Sequence, residues 1–139
     1  MEMNRYQAKA MRTLNPKLTK RTDILLEGLM GLNGEAGEAI EIVKKYEFQG
    51  HKLDTRKLIE ELGDALWYIA ECAEALGYSL EDIAEFNLNK LNERYPNGYS
   101  DERSVNRPKD LDEEDPVYKL KTAIENELRE DKYYKPLVK

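Results

Sequence analysis

A chain of 139 residues and 16.2 kDa fits one compact domain, since domains run to roughly 100–200 residues. With 22 Lys+Arg against 28 Asp+Glu and a formal charge of -6, it lacks the basic face of a nucleic-acid coat. The same charge repels a small anionic substrate unless cations or metal intervene. The single Cys72 excludes an internal disulfide framework; with no apolar h-region at the start and no run of about 18 apolar residues, neither a signal peptide nor a membrane span is expected, and the reading is a cytoplasmic protein.

Apolar residues recur three and four apart, so the fold class is all-α: an antiparallel helical bundle of four main helices over residues 1–100, with a C-terminal helical appendage over 101–139. The first helix spans about Met3 to Leu14 and stops before Asn15-Pro16, because the residue preceding proline disfavours helical geometry. The second runs from about Asp23 to Glu47 on a stripe of Leu25, Leu29, Leu32, Ala36, Ile40 and Val43. A break at Asn33-Gly34 is the rival reading. The loop Phe48-Gln49-Gly50-His51 follows, and Asp54 or Thr55 caps a third helix that ends near Leu76 with Gly77 as a left-handed cap. Its stripe is Leu58, Leu62, Ala65, Ile69, Ala73 and Leu76, with Glu60, Glu71 and Glu74 placed toward solvent and Cys72 near the packed face. Ser79 with Asp82 reads as a capping box opening a fourth helix, which halts at Pro96-Asn97-Gly98. Beyond Asp101, Val117, Leu120, Ile124 and Leu128 suit one amphipathic helix packing on the bundle or on a partner subunit.

Two helices carry paired acids. Glu35 and Glu38 stand at i and i+3, as do Glu61 and Asp64, so each pair lies about 60° apart on its helix wheel. The 22 residues between the pairs are a helix-turn-helix length, and antiparallel neighbours would bring all four acids to one place. Four such carboxylates without a counter-charge would mostly protonate. A hard divalent cation, Mg²⁺ with Mn²⁺ as a substitute, is the natural remedy, because the donors are all oxygen. The alternative is an ordinary solvated face. Gly28, Gly31, Gly34 and Gly37 each cost the helix about 1 kcal/mol relative to alanine, which points to places where a ligand or another backbone comes close.

On the fourth helix Asn87, Lys90 and Arg94 share a face with Leu80, Ile83 and Leu91, and Lys45 lies on the Glu38 side of the second. These cations either hold a polyphosphate or pair with the acids and snorkel outward. Tyr68 falls between Glu61 and Asp64 on the wheel, a candidate substrate contact, while Trp67 off the main stripe reads as a subunit interface.

Taken together, Gly34-Glu35-Ala36-Gly37-Glu38, Lys44-Lys45, Phe48-Gln49-Gly50-His51, the run Glu60 to Tyr68, Asn87-Leu88-Asn89-Lys90-Leu91 and Arg94-Tyr95-Pro96 resemble MazG-type nucleotide pyrophosphohydrolases of the all-α NTP pyrophosphatase superfamily. Many members have a further glutamate where this chain has Gly34. The resemblance implies Mg²⁺-dependent hydrolysis of a nucleoside triphosphate between its α and β phosphorus atoms. It implies Glu35, Glu38, Glu61 and Asp64 as metal ligands, Glu38 orienting or deprotonating the attacking water, and Asn87, Lys90 and Arg94 as the substrate side. A homodimer or homotetramer is implied too. A non-catalytic helical module binding nucleotide or a protein is the competing expectation.

Overall fold

The computed structural model describes residues 1–106. Among these the chain is helical: α1 (Met3–Ala10), continued as a 3-10 turn over Met11–Thr13, then α2 (Arg21–Gln49), α3 (Thr55–Leu76), α4 (Leu80–Arg94) and the short α5 (Asp101–Val105). The expected amphipathic helix at Val117–Leu128 lies outside the described residues.

The helix ends are set by local chemistry. The Asp54 carboxylate accepts from the Lys57 amide at 3.0 Å and opens α3. Gly77, at φ 80°, closes it, and the Tyr78 amide donates back to the Ala73 carbonyl at 2.9 Å. Ser79 and Asp82 form the reciprocal box at the start of α4, with Ser79 Oγ accepting from the Asp82 amide at 3.0 Å and Asp82 accepting from the Ser79 amide at 2.9 Å. The Ser79 hydroxyl also donates to the Asp82 carboxylate at 2.6 Å, and this bond first, then that from the Ser79 amide, holds the Asp82 carboxyl below the usual range. Helix α2 runs through Asn33-Gly34 without a break.

Helices α2 and α3 pack side by side along much of their length. Gly28 meets Cys72, and Gly31 meets Tyr68, so residue numbers rise on one helix as they fall on the other: the pair is antiparallel. A small apolar cluster of Ala70, Ala73 and Leu80 lies where α1, α3 and the first turn of α4 meet, flanked by Tyr6, Met11, Ile69 and Ile83.

One expectation for α3 is corrected. Glu71 and Glu74, placed toward solvent from the wheel, are 0% and 3% exposed. The reason is that α3 is covered from more than one side, so residues 70–75 are all buried and no outward face is left there. Trp67 is an intramolecular anchor: its indole N–H donates to Thr13 Oγ1 at 2.9 Å and to the Ala10 carbonyl at 3.2 Å, pinning the end of α1.

Gln7 supplies the buried polar link between α1, α3 and α4. Its amide donates to Glu74 at 3.0 Å and to the Tyr78 carbonyl at 3.1 Å, while its Oε1 accepts from the Leu80 amide at 2.7 Å. Gln7→Leu leaves the Leu80 amide and a Glu74 oxygen without this partner, and buried unpaired groups cost about 1–3 kcal/mol each. A loss of about 2–4 kcal/mol in urea unfolding is expected; an unchanged midpoint would show that the link carries no weight.

Candidate active site

The antiparallel run of α2 and α3 brings both acids of the α2 pair to the first acid of the α3 pair. One carboxylate oxygen from each of Glu35, Glu38 and Glu61 lies within 4.8 Å of the other two. Their burial is graded: Glu61 is 7% exposed, Glu35 is half-buried and Glu38 is exposed. The trio therefore opens outward through Glu38. Asp64 is exposed and outside the trio, yet its charge acts on both Glu35 and Tyr6. Burial first, then Glu38, Asp64 and Glu61, pushes the Glu35 carboxyl above its ordinary range. Like charges at a partly dehydrated point produce that direction, and a cation there reverses it. Among the described residues this is where three metal-capable side chains converge, and an all-carboxylate set with an open side fits Mg²⁺ or Mn²⁺, which keep waters and accept phosphate oxygens.

The cation nearest the trio is exposed Lys57, whose Nζ stands 3.9 Å from Glu61 Oε1 at i,i+4, too long and too wet to satisfy that oxygen. Lys45 is committed elsewhere, 3.4 Å from Glu41, which also pairs with Lys44; the Lys44 contact leads in holding the Glu41 carboxyl down.

Tyr68 sits two turns beyond Glu61 on α3, with its ring over Gly31 and in edge contact with Trp67, ring centroids 5.1 Å apart at 89°. Burial, then the charges of Glu35, Glu71, Glu27 and Asp64, push its hydroxyl up, so Tyr68 is a neutral donor among acids. Beside it opens a cavity of about 320 Å³ lined by Asp23, Leu26, Glu27, Met30, Gly31 and Tyr68. Sequence reasoning misses this cavity; its signal is the Gly28/Gly31 spacing, which lets α3 approach α2 closely and leaves the flanking side chains as walls. At Gly34 and Gly37 a methyl group in place of the α hydrogen would meet nothing within 4 Å, so the α2 backbone beside Glu35 and Glu38 is bare.

The structure does not bring the fourth-helix residues to the acids. Asn87 and Lys90 are exposed, and Arg94 is half-buried with its guanidinium 6.0 Å from the Tyr95 ring. Among the described residues no hydrogen bond or ion pair joins Lys90 or Arg94 to Glu35, Glu38, Glu61 or Asp64. Leu80 at the start of α4 is buried, whereas residues 87–93 are all exposed, so among the described residues the face expected to point inward is uncovered.

A family model described as the MazG nucleotide pyrophosphohydrolase domain matches residues 25–99. Among curated proteins, the chain is similar to the "Gene 37 protein" of Mycobacterium phage L5, 41% identical over 81 residues, which cover 52% of this chain and 71% of that protein. It is also similar to the "Uncharacterized protein YvdC" of Bacillus subtilis (strain 168), 36% identical over 70 residues, covering 44% and 66% of the two chains. No solved structure matches. No helix among the described residues is long and apolar enough to cross a membrane.

Proposed function

The chain belongs to the MazG nucleotide pyrophosphohydrolase domain family, and from that membership we propose that it hydrolyses a nucleoside triphosphate, ribo- or deoxyribo-, to the monophosphate and pyrophosphate in the cytoplasm, in a nucleotide-pool housekeeping role. The observation that carries this reading is the convergence of Glu35, Glu38 and Glu61 from two helices on one outward-facing point.

Glu35, Glu38 and Glu61, with Asp64 at the margin, would hold Mg²⁺. The bound ion supplies positive charge to the polyphosphate oxygens and to the leaving pyrophosphate. Glu38, the exposed member, would orient a water and accept its proton on a carboxylate oxygen as the water oxygen attacks the α phosphorus. The bond from the α phosphorus to the bridging oxygen then breaks, and pyrophosphate leaves with that oxygen. We assign Tyr68 and Lys45 to the substrate as further contacts, and Asn87, Lys90 and Arg94 to its phosphate and sugar side. The test is a screen of common and damaged nucleoside triphosphates with Mg²⁺ for pyrophosphate release. Nucleotide-dependent thermal stabilisation without release would favour the non-catalytic module instead.

We propose further that a second copy completes the four-helix bundle, as a homodimer or within a homotetramer. Support comes from large apolar side chains left bare on the long helices: Leu26, Met30, Ile59 and Leu62 are 60%, 66%, 69% and 58% exposed. Exposed apolar surface on this scale marks an interface. The exposed second half of α4 is then available to face the other protomer. An Ile59→Glu/Leu62→Glu variant is expected to run as a monomer in light scattering while the wild type runs as a dimer or larger. A monomeric wild type at micromolar concentration refutes the assembly.

A further inference from the structure

The seam between α2 and α3 holds a carboxyl group that the chemistry above does not use. Glu71 is fully buried, and neither of its carboxylate oxygens has a hydrogen-bond partner. Opposite it on α2 stands Glu27; burial and then the Glu27 carboxylate push the Glu71 carboxyl up to about 7. Gly28 roofs the pair, with Glu71 Oε2 only 3.4 Å from where a methyl on that glycine would stand, and Cys72 Sγ 2.7 Å from the same point. The seam is thus tightly closed around the acid.

The groups facing this point settle what can neutralise it. From α2 come Glu27 and, one turn back on the cavity wall, Asp23; from α3 come Tyr68 and Cys72, both pushed upward by burial and so neutral near pH 7. Gln7 of α1 is committed to Glu74 and the start of α4. Among the described residues no cation pairs with Glu27 or Glu71. Both Glu71 oxygens are shut off from solvent, which leaves no room beside them for the waters that Mg²⁺ keeps around a pair of carboxylates, so a proton is the counter-charge the geometry can accommodate.

We propose that Glu27 and Glu71 hold one proton between them and act as a pH-sensitive clasp on the α2–α3 seam, closed while the proton is present and loosened when it is lost. The clasp does not rest on the nucleotide-hydrolysis reading. Its sign follows from linkage: the folded pair keeps the proton to higher pH than the unfolded chain does. Its stabilisation is therefore whole below the ordinary carboxylate range and is lost as pH rises through neutrality. Loosening uncovers the Cys72 thiol and frees the Tyr68 ring from Gly31.

The experiment is ¹³C-carboxyl NMR titration of the full chain, with thermal unfolding and Cys72 alkylation from about pH 5 to about pH 8 on wild type, Glu71→Gln and Glu27→Gln. Expected are a Glu71 midpoint near neutrality that moves lower in Glu27→Gln, and a melting temperature that falls with pH in wild type more than in Glu71→Gln. Alkylation at the upper pH should be several-fold faster in wild type than in Glu71→Gln. A Glu71 midpoint in the ordinary carboxylate range, or one unmoved by Glu27→Gln, overturns the proposal. The NMR readout on Glu27→Gln stands even if Glu71→Gln fails to fold.

Discussion

Glu61→Gln is expected to fold and yet release pyrophosphate from nucleoside triphosphates about 100-fold more slowly than wild type, or worse. Changes to groups that merely support a metal ligand already cost about 10–100-fold, and Glu61 is the most enclosed member of the trio. The same substitution makes an opposite prediction without metal. Glu35 is pushed upward by burial and by its acidic neighbours, Glu61 among them, so in metal-free buffer the folded state is disfavoured as pH rises above the ordinary carboxylate range. Taking away the Glu61 charge relieves part of that. Metal-free Glu61→Gln should therefore melt no lower than wild type at neutral pH, while the rise in melting temperature that Mg²⁺ or Mn²⁺ gives the wild type disappears. Differential scanning fluorimetry with and without metal reads both arms. Unchanged turnover together with an unchanged metal-induced shift removes Glu61 from the site.

The glycines of α2 should divide into two opposite groups. A methyl added at Gly31 would stand 2.1 Å from Tyr68 Cε1 and 2.3 Å from Cζ, and that ring is also in edge contact with Trp67. Neither the ring nor the helix can give way cheaply, so Gly31→Ala is expected to cost about 1–3 kcal/mol, the usual range for overpacking. At Gly37 nothing lies within 4 Å, and alanine there should stabilise by about 0.5–1 kcal/mol through helix propensity alone. Urea unfolding of the two variants checks this contrast. A Gly31→Ala protein as stable as wild type would show that α3 does not sit where the ring contact places it.

Much of this architecture is legible in the letters because it is local. Asp54, Gly77 and the Ser79/Asp82 box act within four residues of themselves, so the ends of α3 and the start of α4 follow from spacing. The i,i+3 acids are equally local; their meeting required only that α2 and α3 be antiparallel, which a short connection favours. What failed was whatever depends on how many neighbours a helix has. A wheel assigns one buried stripe, but α3 is covered on several sides, so Glu71 and Glu74 are inside, whereas Leu62 on the supposed stripe is 58% exposed. Trp67 found its partners in the 3-10 turn after α1, a contact across 54 residues that no periodicity reports. Lys90 and Arg94 share a face with Leu80 on the wheel, yet among the described residues nothing covers that face beyond its first turns.

The acid trio lies beyond the first turn of its helices, Glu35 and Glu38 about halfway along α2 and Glu61 in the second turn of α3. The partial positive charge of a helix start fades within one turn, so the trio sits outside the reach of those backbone dipoles, unlike phosphate sites built on helix beginnings. Under the proposed function, attraction for an anionic ligand would then come from a metal ion held by the trio and from side-chain cations, on a molecule of net charge -6. Capture of such a ligand should accordingly be strongly sensitive to ionic strength and to free divalent concentration, and slow where both are unfavourable.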